Sequence, residues 1–336
     1  MALLVFTSEV CSEHETGLSH PERPERTSAV LDGIGSSLVR EAVALAEAPS
    51  ADMTDLGRVH DVGHLRALEQ LCAEGGGAVD PDTWLSEGSW RAALRAAGAG
   101  LAAVEELRAG AGDAAFCVVR PPGHHAERRS AMGFCLVNNV AVTAAKLADE
   151  GERVLIADYD AHHGNGTQAI FWEDPRVMYV SWHQWPLYPG TGAAEEIGGG
   201  TGSGTTVNFP LPPLTTGDTY LRSVDEVLAP LVERFAPTWL LISAGFDAHR
   251  DDPITSMGLT SGDYAQITAK LVEFVSTGRV VAFLEGGYDL GALRSCAAGV
   301  AAALLGETEH PEPPTSGGPG GSVITYVKRL FDVWFR

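Results

Sequence analysis

Short apolar runs alternate with longer helical patterns along this chain, and this alternation restricts the fold more than any other feature of its 336 residues. Most runs are apolar on both faces, which is typical of parallel strands covered by helices on each side. The predicted strands are 3–7, 114–119, 153–158, 177–181, 239–244 and 280–285. The predicted helices are about 24–41, 60–73, 86–109, 138–149, 218–235, 261–276 and 289–306. The sequence therefore predicts an α/β fold with a mostly parallel, doubly wound central sheet.

No internal repeat and no clear linker interrupts this pattern before residue 307. Residues 307–321 are rich in proline and glycine, which predicts an exposed connection. The segment that follows, SVITYVKRLFDVWFR at 322–336, has the apolar spacing of a helix that packs one face against the body of the protein. We expect one domain over 1–306, with 307–336 packed on that same domain.

The charge balance restricts the partners that the chain can bind. It carries 44 acidic and 23 basic residues, for a net charge of −21 with neutral histidines. A surface of this sign repels phosphate backbones, so we expect no nucleic-acid partner. A cationic substrate or partner suits the charge better, although acidity also serves solubility alone.

The cysteines and the apolar runs predict the compartment. The five cysteines contain no C-x-x-C pair and do not form the pattern of a disulfide framework. No stretch approaches the roughly 18–20 apolar residues that cross a bilayer. The first ten residues, MALLVFTSEV, lack the basic start and the long apolar core of a signal peptide. We expect a cytoplasmic protein without membrane contact.

Polar, chemically versatile residues follow five of the predicted strands at the point where each strand ends. Ligands of such sheets gather at the carboxyl ends of the strands, so this placement predicts an active site there. The five segments are RPPGHHAE (120–127), DYDAHHGNG (158–166), SWHQ (181–184), GFDAHRDD (245–252) and EGGYD (285–289).

The second of these segments has the residues of a metal site. Asp158, Asp160 and His162 alternate, so they can project together or divide between a metal and the groups that orient its ligands. Asp247 can supply a further ligand. Three protein ligands with an open fourth position are typical of a catalytic zinc site. The competing interpretation is a polar loop with incidental histidines.

Two further segments supply acid–base groups. A Pro-Pro-Gly turn precedes His124 and His125 and can direct both rings into one cavity, where one accepts a proton while the other stays charged. Asp158 and Asn165 are candidates to orient the two rings. Tyr288 follows two glycines and can donate a hydrogen bond to a developing oxyanion, although a buried structural tyrosine is the simpler interpretation.

Taken together, these motifs resemble the histone deacetylase superfamily, most closely its class II-like branch and the bacterial deacetylase-like amidohydrolases. The resemblance implies an arginase-like, three-layer α/β fold with one zinc ion at the bottom of a narrow tunnel. It is carried by an ordered set of segments: HPERPER (20–26), RPPGHHA (120–126), GFCLVNN (133–139), DYDAHHGNGT (158–167), YVSWH (179–183), PGTG (189–192), SAGFDAH (243–249) and LEGGY (284–288).

The resemblance assigns roles residue by residue. The implied zinc ligands are Asp160, His162 and Asp247, the implied catalytic residues are His124, His125 and Tyr288, and the implied orienting residues are Asp158 and Asn165. The implied tunnel residues are Gly133, Phe134, Tyr188 and Ile254, and a structural potassium ion is implied at the main-chain oxygens of Asp158, Asp160, His162 and Trp182 and the hydroxyl of Ser181. Some family members have aspartate at position 165, and phenylalanine is frequent at position 188. A neutral Asn165 should leave His125 easier to deprotonate than an aspartate would.

The activity implied by the resemblance is zinc-dependent hydrolysis of an acyl amide, with an acyl-lysine peptide or protein, or a small acylated amine, as the partner. Removal of acetyl from the ε-amine of lysine is favoured over an acetylpolyamine substrate. Some polyamine-selective relatives place a glutamate in a D-P-E context, whereas this chain has Asp252-Pro253-Ile254. A catalytically silent acyl-lysine-binding protein and a dinuclear manganese hydrolase are two competing interpretations. The complete set of candidate residues disfavours the first, and the absence from the D-x-D-x-H-H pattern of the further acids that would bridge a second metal disfavours the second.

Overall fold

The computed structural model describes residues 1–17 and 19–334. Its strands are β1 (Leu3–Thr7), β2 (Val43–Glu47), β3 (Gly77–Ala78), β4 (Trp84–Leu85), β5 (Ala114–Cys117), β6 (Val154–Asp158), β7 (Val177–Gln184), β8 (Thr206–Leu211), β9 (Trp239–Ala244) and β10 (Val280–Leu284). Its helices are α1 (Glu25–Ser36), α2 (Met53–Leu56), α3 (Val62–Ala73), α4 (Ser89–Arg108), α5 (Asn139–Asp149), α6 (Asn165–Phe171), α7 (Gly217–Ser223), α8 (Ala229–Phe235), α9 (Ser261–Val272), α10 (Leu290–Leu304) and α11 (Gly321–Trp334). A π-helical turn, Val224–Leu228, joins α7 to α8.

Eight of the strands form one parallel sheet in the order β2-β1-β5-β10-β9-β6-β7-β8, while β3 and β4 form a separate antiparallel pair. Successive residues of β1 divide between the two faces: Leu3 and Val5 belong to one apolar core, and Leu4 and Phe6 to the other. Helices α1, α9 and α10 cover the first core, and α3, α4 and α5 cover the second. This confirms the predicted three-layer α/β fold, and the sheet is entirely parallel.

The six predicted strands are present, with ends shifted by up to three residues. The two outer strands of the sheet, β2 and β8, were not predicted. The residues of β2 are all half-buried or exposed, and β8 contains Asn208 and Pro210, so neither has the apolar run of an inner strand. The predicted helix 24–41 ends at Ser36, and the predicted helix 218–235 is interrupted by the π-helical turn.

The C-terminal segment returns to the body of the protein. Helix α11 contacts β8 and α7 and buries Ile324, Val327 and Phe331. The connection before it has no regular secondary structure and is largely exposed, although Glu312 bonds His249. The last two residues of the predicted terminal helix, 335 and 336, lie outside the described residues.

The sheet order determines where the site forms. Strands β5, β10, β9 and β6 are neighbours in the middle of the sheet and all point the same way. The segments that follow them therefore meet at one edge, although they are far apart in sequence. Within the described ranges, no helix is long and apolar enough to cross a membrane.

Candidate active site

Three metal-ligating side chains converge at this edge of the sheet. Asp160 and His162 follow β6, and Asp247 follows β9; one ligand atom from each lies within 4.8 Å of the other two. The Nδ1 atom of His162 lies 3.1 Å from Oδ1 of Asp160 and 3.0 Å from Oδ2 of Asp247. All three residues are buried. Two carboxylate oxygens and one imidazole nitrogen in a buried cluster suit a borderline divalent cation such as zinc.

The backbone fits closely around these carboxylates. A Cβ atom added at Gly286 would lie 2.2 Å from Oδ2 of Asp247, and one added at Gly245 would lie 2.0 Å from Oδ2 of Asp160. The amide of Gly286 donates to Asp160 at 2.8 Å, and the amide of Ala161 donates to Asp247 at 2.7 Å. The glycines thus allow a closely packed, preorganised cradle for the carboxylates, as a bound cation requires.

The electrostatics of the cluster also indicate a cation site. Burial, reinforced by the charge of Asp160, raises the pKa of Asp247 to about 7. Burial lowers the pKa of His162, but the carboxylates of Asp247 and Asp160 outweigh it and raise the value to about 10. Two buried carboxylates thus share one imidazole proton, and a divalent cation would replace that proton with a stronger positive charge.

His124 lies beside this cluster and is paired with carboxylates. Its Nδ1 atom lies 3.0 Å from Oδ2 of Asp158, which also accepts a hydrogen bond from the hydroxyl of Tyr179 at 3.0 Å. Its Nε2 atom lies 3.8 Å from Asp160. Burial opposes the charge on His124, but Asp160 and Asp158 raise its pKa well above the ordinary value. The arrangement stabilises a protonated His124.

His125 lies next to it in the opposite electrostatic setting. Its Nδ1 atom lies 2.8 Å from the side-chain oxygen of Asn165, and the two histidine rings are 4.1 Å apart between centroids. Burial and the positive charges of His124 and His162 lower the pKa of His125 well below its ordinary value. A neutral ring that accepts a proton therefore stands beside a charged one.

Tyr288 closes the other side of the cluster. It follows Gly286 and Gly287, and Gly287 has a φ of 109°, a conformation that favours glycine. The guanidinium of Arg26 lies 5.0 Å from the centre of the tyrosine ring. Burial raises the pKa of the Tyr288 phenol well above its ordinary value, so the hydroxyl keeps its proton and is available as a donor.

Aromatic and apolar side chains stand above these groups. The ring of Phe134 lies 5.9 Å from that of Tyr288, and the ring of Tyr188 lies 5.2 Å from that of His125. A Cβ atom added at Gly133 would lie 2.5 Å from Cδ2 of His125, so the chain needs glycine there to pass the histidine. Ile254 is 37% exposed and follows the turn after Asp247. Three of the four predicted tunnel residues, Gly133, Phe134 and Tyr188, thus lie beside His125 or Tyr288, and the place of Ile254 in the tunnel stays a prediction.

Two of the residues predicted for potassium, Asp158 and Ser181, lie on neighbouring strands. Asp158 pairs with Ser181 in the register of β6 and β7, and the hydroxyl of Ser181 lies 2.9 Å from Nδ1 of His183. The next residue, Trp182, turns its ring into the core, where it stacks on Phe209.

Three acidic residues at the base of the site and two at its rim were not predicted from the sequence. The buried carboxylate of Glu285 accepts hydrogen bonds from the amides of Gly123 at 2.6 Å and His124 at 3.1 Å, and Asp252 bonds the amide of Tyr288 at 2.8 Å. Glu22 bonds Arg120 and Arg26, and its pKa is lowered mainly by Arg120 against the effect of burial. These three acids lie in the segments EGGYD, HRDD and HPERPER, which could have pointed to them, but the sequence did not indicate their hydrogen-bond partners.

The two rim acids, Asp80 and Asp82, belong to the loop between β3 and β4. The hydroxyl of Thr83 accepts a hydrogen bond from the amide of Phe134 at 3.0 Å, which fixes this loop beside the tunnel wall. The neighbouring Asp82 and Asp80 are close enough that their charges, after burial, raise the pKa of Tyr188. The mouth of the site is therefore acidic on this side.

Candidate metal ligands lie beside two histidines and a tyrosine at the carboxyl edge of a parallel α/β sheet, an arrangement suited to metal-assisted hydrolysis. Residues 20–304 match the sequence profile of the histone deacetylase domain. The chain belongs to the histone deacetylase family and is a deacetylase or amidohydrolase of that family.

Individual relatives agree with this assignment. The chain is 42% identical over 310 residues to a probable deacetylase of Archaeoglobus fulgidus, covering 90% of this chain and 86% of that protein. It is 37% identical over 292 residues to the histone deacetylase-like amidohydrolase of Pseudomonas aeruginosa, covering 85% and 76%. The crystal structure of the HDA15 HD domain superposes with a TM-score of 0.90 at 34% identity, covering 98% of this chain and 94% of that one.

Proposed function

We propose that this protein is a zinc-dependent amidohydrolase that removes acetyl from the ε-amine of lysine in peptides or proteins. The observation that carries the proposal is the convergence of the Asp160–His162–Asp247 cluster with a charged His124, a neutral His125 and a protonated Tyr288 in one buried site. This set supplies a cation site, a proton acceptor and an oxyanion donor, which amide hydrolysis requires.

Asp160, His162 and Asp247 would hold the zinc ion, which polarises the acyl carbonyl and lowers the pKa of water when bound. His125 accepts the proton of the attacking water, because its partner Asn165 is neutral and its pKa is lowered. His124 stays charged between Asp158 and Asp160 and stabilises the negative charge that develops.

Tyr288 completes the reaction geometry. Its hydroxyl donates to the oxygen of the former carbonyl as the carbon becomes tetrahedral. The protonated His125 then delivers its proton to the amine nitrogen while the carbon–nitrogen bond breaks, which releases acetate and the free amine. The complete set of proton donors and acceptors argues against a silent acyl-lysine-binding protein.

The walls of the site favour a substrate with an apolar chain next to the amide. Phe134 and Tyr188 present aromatic surface beside Tyr288 and His125, and the half-exposed Ile254 would add aliphatic surface at the mouth. The methylenes of acetyl-lysine gain by burial against such walls, and an apolar Ile254 offers no partner for a distal ammonium.

An acetylpolyamine is the second candidate substrate, and the acidic rim is the observation that favours it. Asp80 and Asp82 lie near enough to Tyr188 to influence its pKa. Carboxylates at that position can attract the distal ammonium of an acetylated polyamine, or the cationic flank of a peptide. The two substrates therefore differ in how far from the amide their positive charge lies.

Three further proposals accompany this function. A structural potassium ion would bind at main-chain oxygens of Asp158, Asp160, His162 and Trp182 with the hydroxyl of Ser181. Residues 1–306 would form the catalytic domain, with 307–336 packed on it. The protein would act in the cytoplasm.

The deciding experiment compares kcat/KM of the zinc-loaded protein for an acetyl-lysine peptide and for N-acetylputrescine. We expect a strong preference for the peptide. A strong preference for the polyamine would show that the rim acids, and not Ile254, determine the choice. Inactivity on both substrates with stoichiometric zinc bound would contradict deacetylation of lysine and direct the search to other acyl amides.

A further inference from the structure

The buried carboxylate of Asp252 joins the segment that follows β9 to the segment that follows β10. Its Oδ2 atom accepts a hydrogen bond from the amide of Tyr288 at 2.8 Å, and its Oδ1 atom accepts one from the amide of Ile254 at 3.0 Å. The residue is 6% exposed, and its own amide donates to the carbonyl of His249 at 2.9 Å. Asp252 therefore connects the candidate oxyanion donor to the tunnel mouth.

Each of the three residues before Tyr288 makes a hydrogen bond through its main chain. The amide of Glu285 donates to Ala244 at 3.2 Å, and that of Gly286 donates to Asp160 at 2.8 Å. The carbonyl of Gly287 accepts from Nε of Arg26 at 2.6 Å. Because the two glycines give this segment unusual backbone freedom, these bonds determine where the tyrosine points.

We infer that Asp252 is a positioning residue that fixes the Tyr288 hydroxyl for oxyanion stabilisation. The inference rests on the proposed role of Tyr288. A small rotation at the Tyr288 amide moves the hydroxyl at the far end of the side chain by a larger distance. Displacement of a reacting group by 1 Å can cost about 10²-fold in rate, so an anchor on this amide bears on turnover.

The two hydrogen bonds made by Asp252 require a side chain with two acceptor oxygens, as a carboxylate has. The two amides approach from different loops, and each needs its own acceptor oxygen. An asparagine has one acceptor oxygen, and its amino group would face the second N–H as another donor. Asp252→Asn therefore keeps the volume of the side chain, removes one of the two bonds, and takes away the negative charge that strengthens the other. The hold on the Tyr288 amide is weakened in either orientation of the new side-chain amide.

The test is a double-mutant cycle between Asp252→Asn and Tyr288→Phe, measured as kcat and KM of the zinc-loaded enzyme on its best acetylated substrate. Asp252→Asn should lower kcat by about 10-fold and change KM by less than about twofold. In the Tyr288→Phe background the same substitution should lower kcat by less than about twofold, because the hydroxyl that it positions is gone. Asp251→Asn, an exposed neighbour with the same charge change, is the control and should leave kcat unchanged.

Zinc content and thermal unfolding are measured for every variant. If Asp252→Asn does not fold, Asp252→Glu replaces it with the same expected results, because the added methylene keeps the charge but displaces both acceptor oxygens from the two amides. Equal losses of kcat in the two backgrounds would overturn the inference, because they would show that Asp252 acts independently of the hydroxyl. Wild-type kcat in Asp252→Asn alongside an impaired Tyr288→Phe would also overturn it and leave the proposed function intact. Full activity in Tyr288→Phe would instead contradict the proposed role of the tyrosine.

Discussion

The base and the mouth of the site are built in different ways. At the base, Asp160, Asp247 and His124 are buried and held by several polar bonds each. At the mouth, Tyr188 is 38% exposed and Ile254 is 37% exposed, and ring contacts and backbone bonds position them. Groups that stabilise charge in a reaction must be fixed before it begins, whereas groups that select a substrate need only shape and polarity.

This difference separates chemistry from selectivity. A change at the base removes a charge or a proton from a site of low dielectric, where such interactions are strongest. A change at the mouth alters contacts that water can partly replace. We therefore expect the effects of substitution to fall from the metal ligands to the exposed wall.

The largest effect is expected for Asp247→Ala. The variant retains two of the three ligands, so it should lose zinc, and activity should fall to background. Metal analysis of the purified protein measures this directly, with the exposed Asp251→Ala as the control that keeps zinc. Stoichiometric zinc in Asp247→Ala would refute the ligand assignment.

Tyr288→Phe should come next. Loss of one oxyanion donor typically costs about 10²–10³ in kcat, and the phenylalanine keeps the ring contacts with Phe134 and Arg26. Zinc content should stay stoichiometric and KM nearly unchanged. A parallel fall in zinc content would assign the loss to the metal site and contradict the role of the hydroxyl.

Asn165→Asp should shift the pH profile. The side-chain amide of Asn165 is bonded to both His125 and Glu127. The substitution is therefore combined with Glu127→Gln, so that the new carboxylate contacts His125 without a second carboxylate beside it. A neighbouring anion raises a histidine pKa by about 1–3 units. His125 acts as the neutral base, and it would then remain protonated to higher pH, so the acidic limb of kcat/KM should move upward. An unchanged acidic limb would exclude His125 as the base.

Ile254→Glu should lower the catalytic rate least and change the substrate preference most clearly. A half-exposed glutamate can pair with a distal ammonium, so kcat/KM for N-acetylputrescine relative to the acetyl-lysine peptide should rise by roughly 10-fold, about 1.4 kcal/mol. Ile254→Gln, which has the same shape without the charge, is the matched control. An equal change in both variants would assign the effect to shape.

Much of the fold was predictable from the sequence, and the exceptions have a common cause. Inner strands such as β6 and β9 bury both faces, so their apolar runs were recognisable. The edge strands β2 and β8 contact neighbours on one side only, and their mixed composition hid them. Helix α11 was recognisable because one apolar face repeats along it.

The sequence by itself determined which residues meet at the site, because parallel strands bring their carboxyl ends to one edge and the polar segments follow those ends. The spacing of Asp158 and Asp160 left open how the two carboxylates divide their roles, which only the family resemblance assigned, and the sequence did not reveal the bonds made by Asp252. The tertiary structure decided both: Asp158 turns to His124 and Asp160 to His162, and Asp252 reaches Tyr288, 36 residues away in sequence. Periodicity is a local property of the chain, whereas the choice of partner depends on the order of the strands and on which backbone amides their packing leaves to be satisfied.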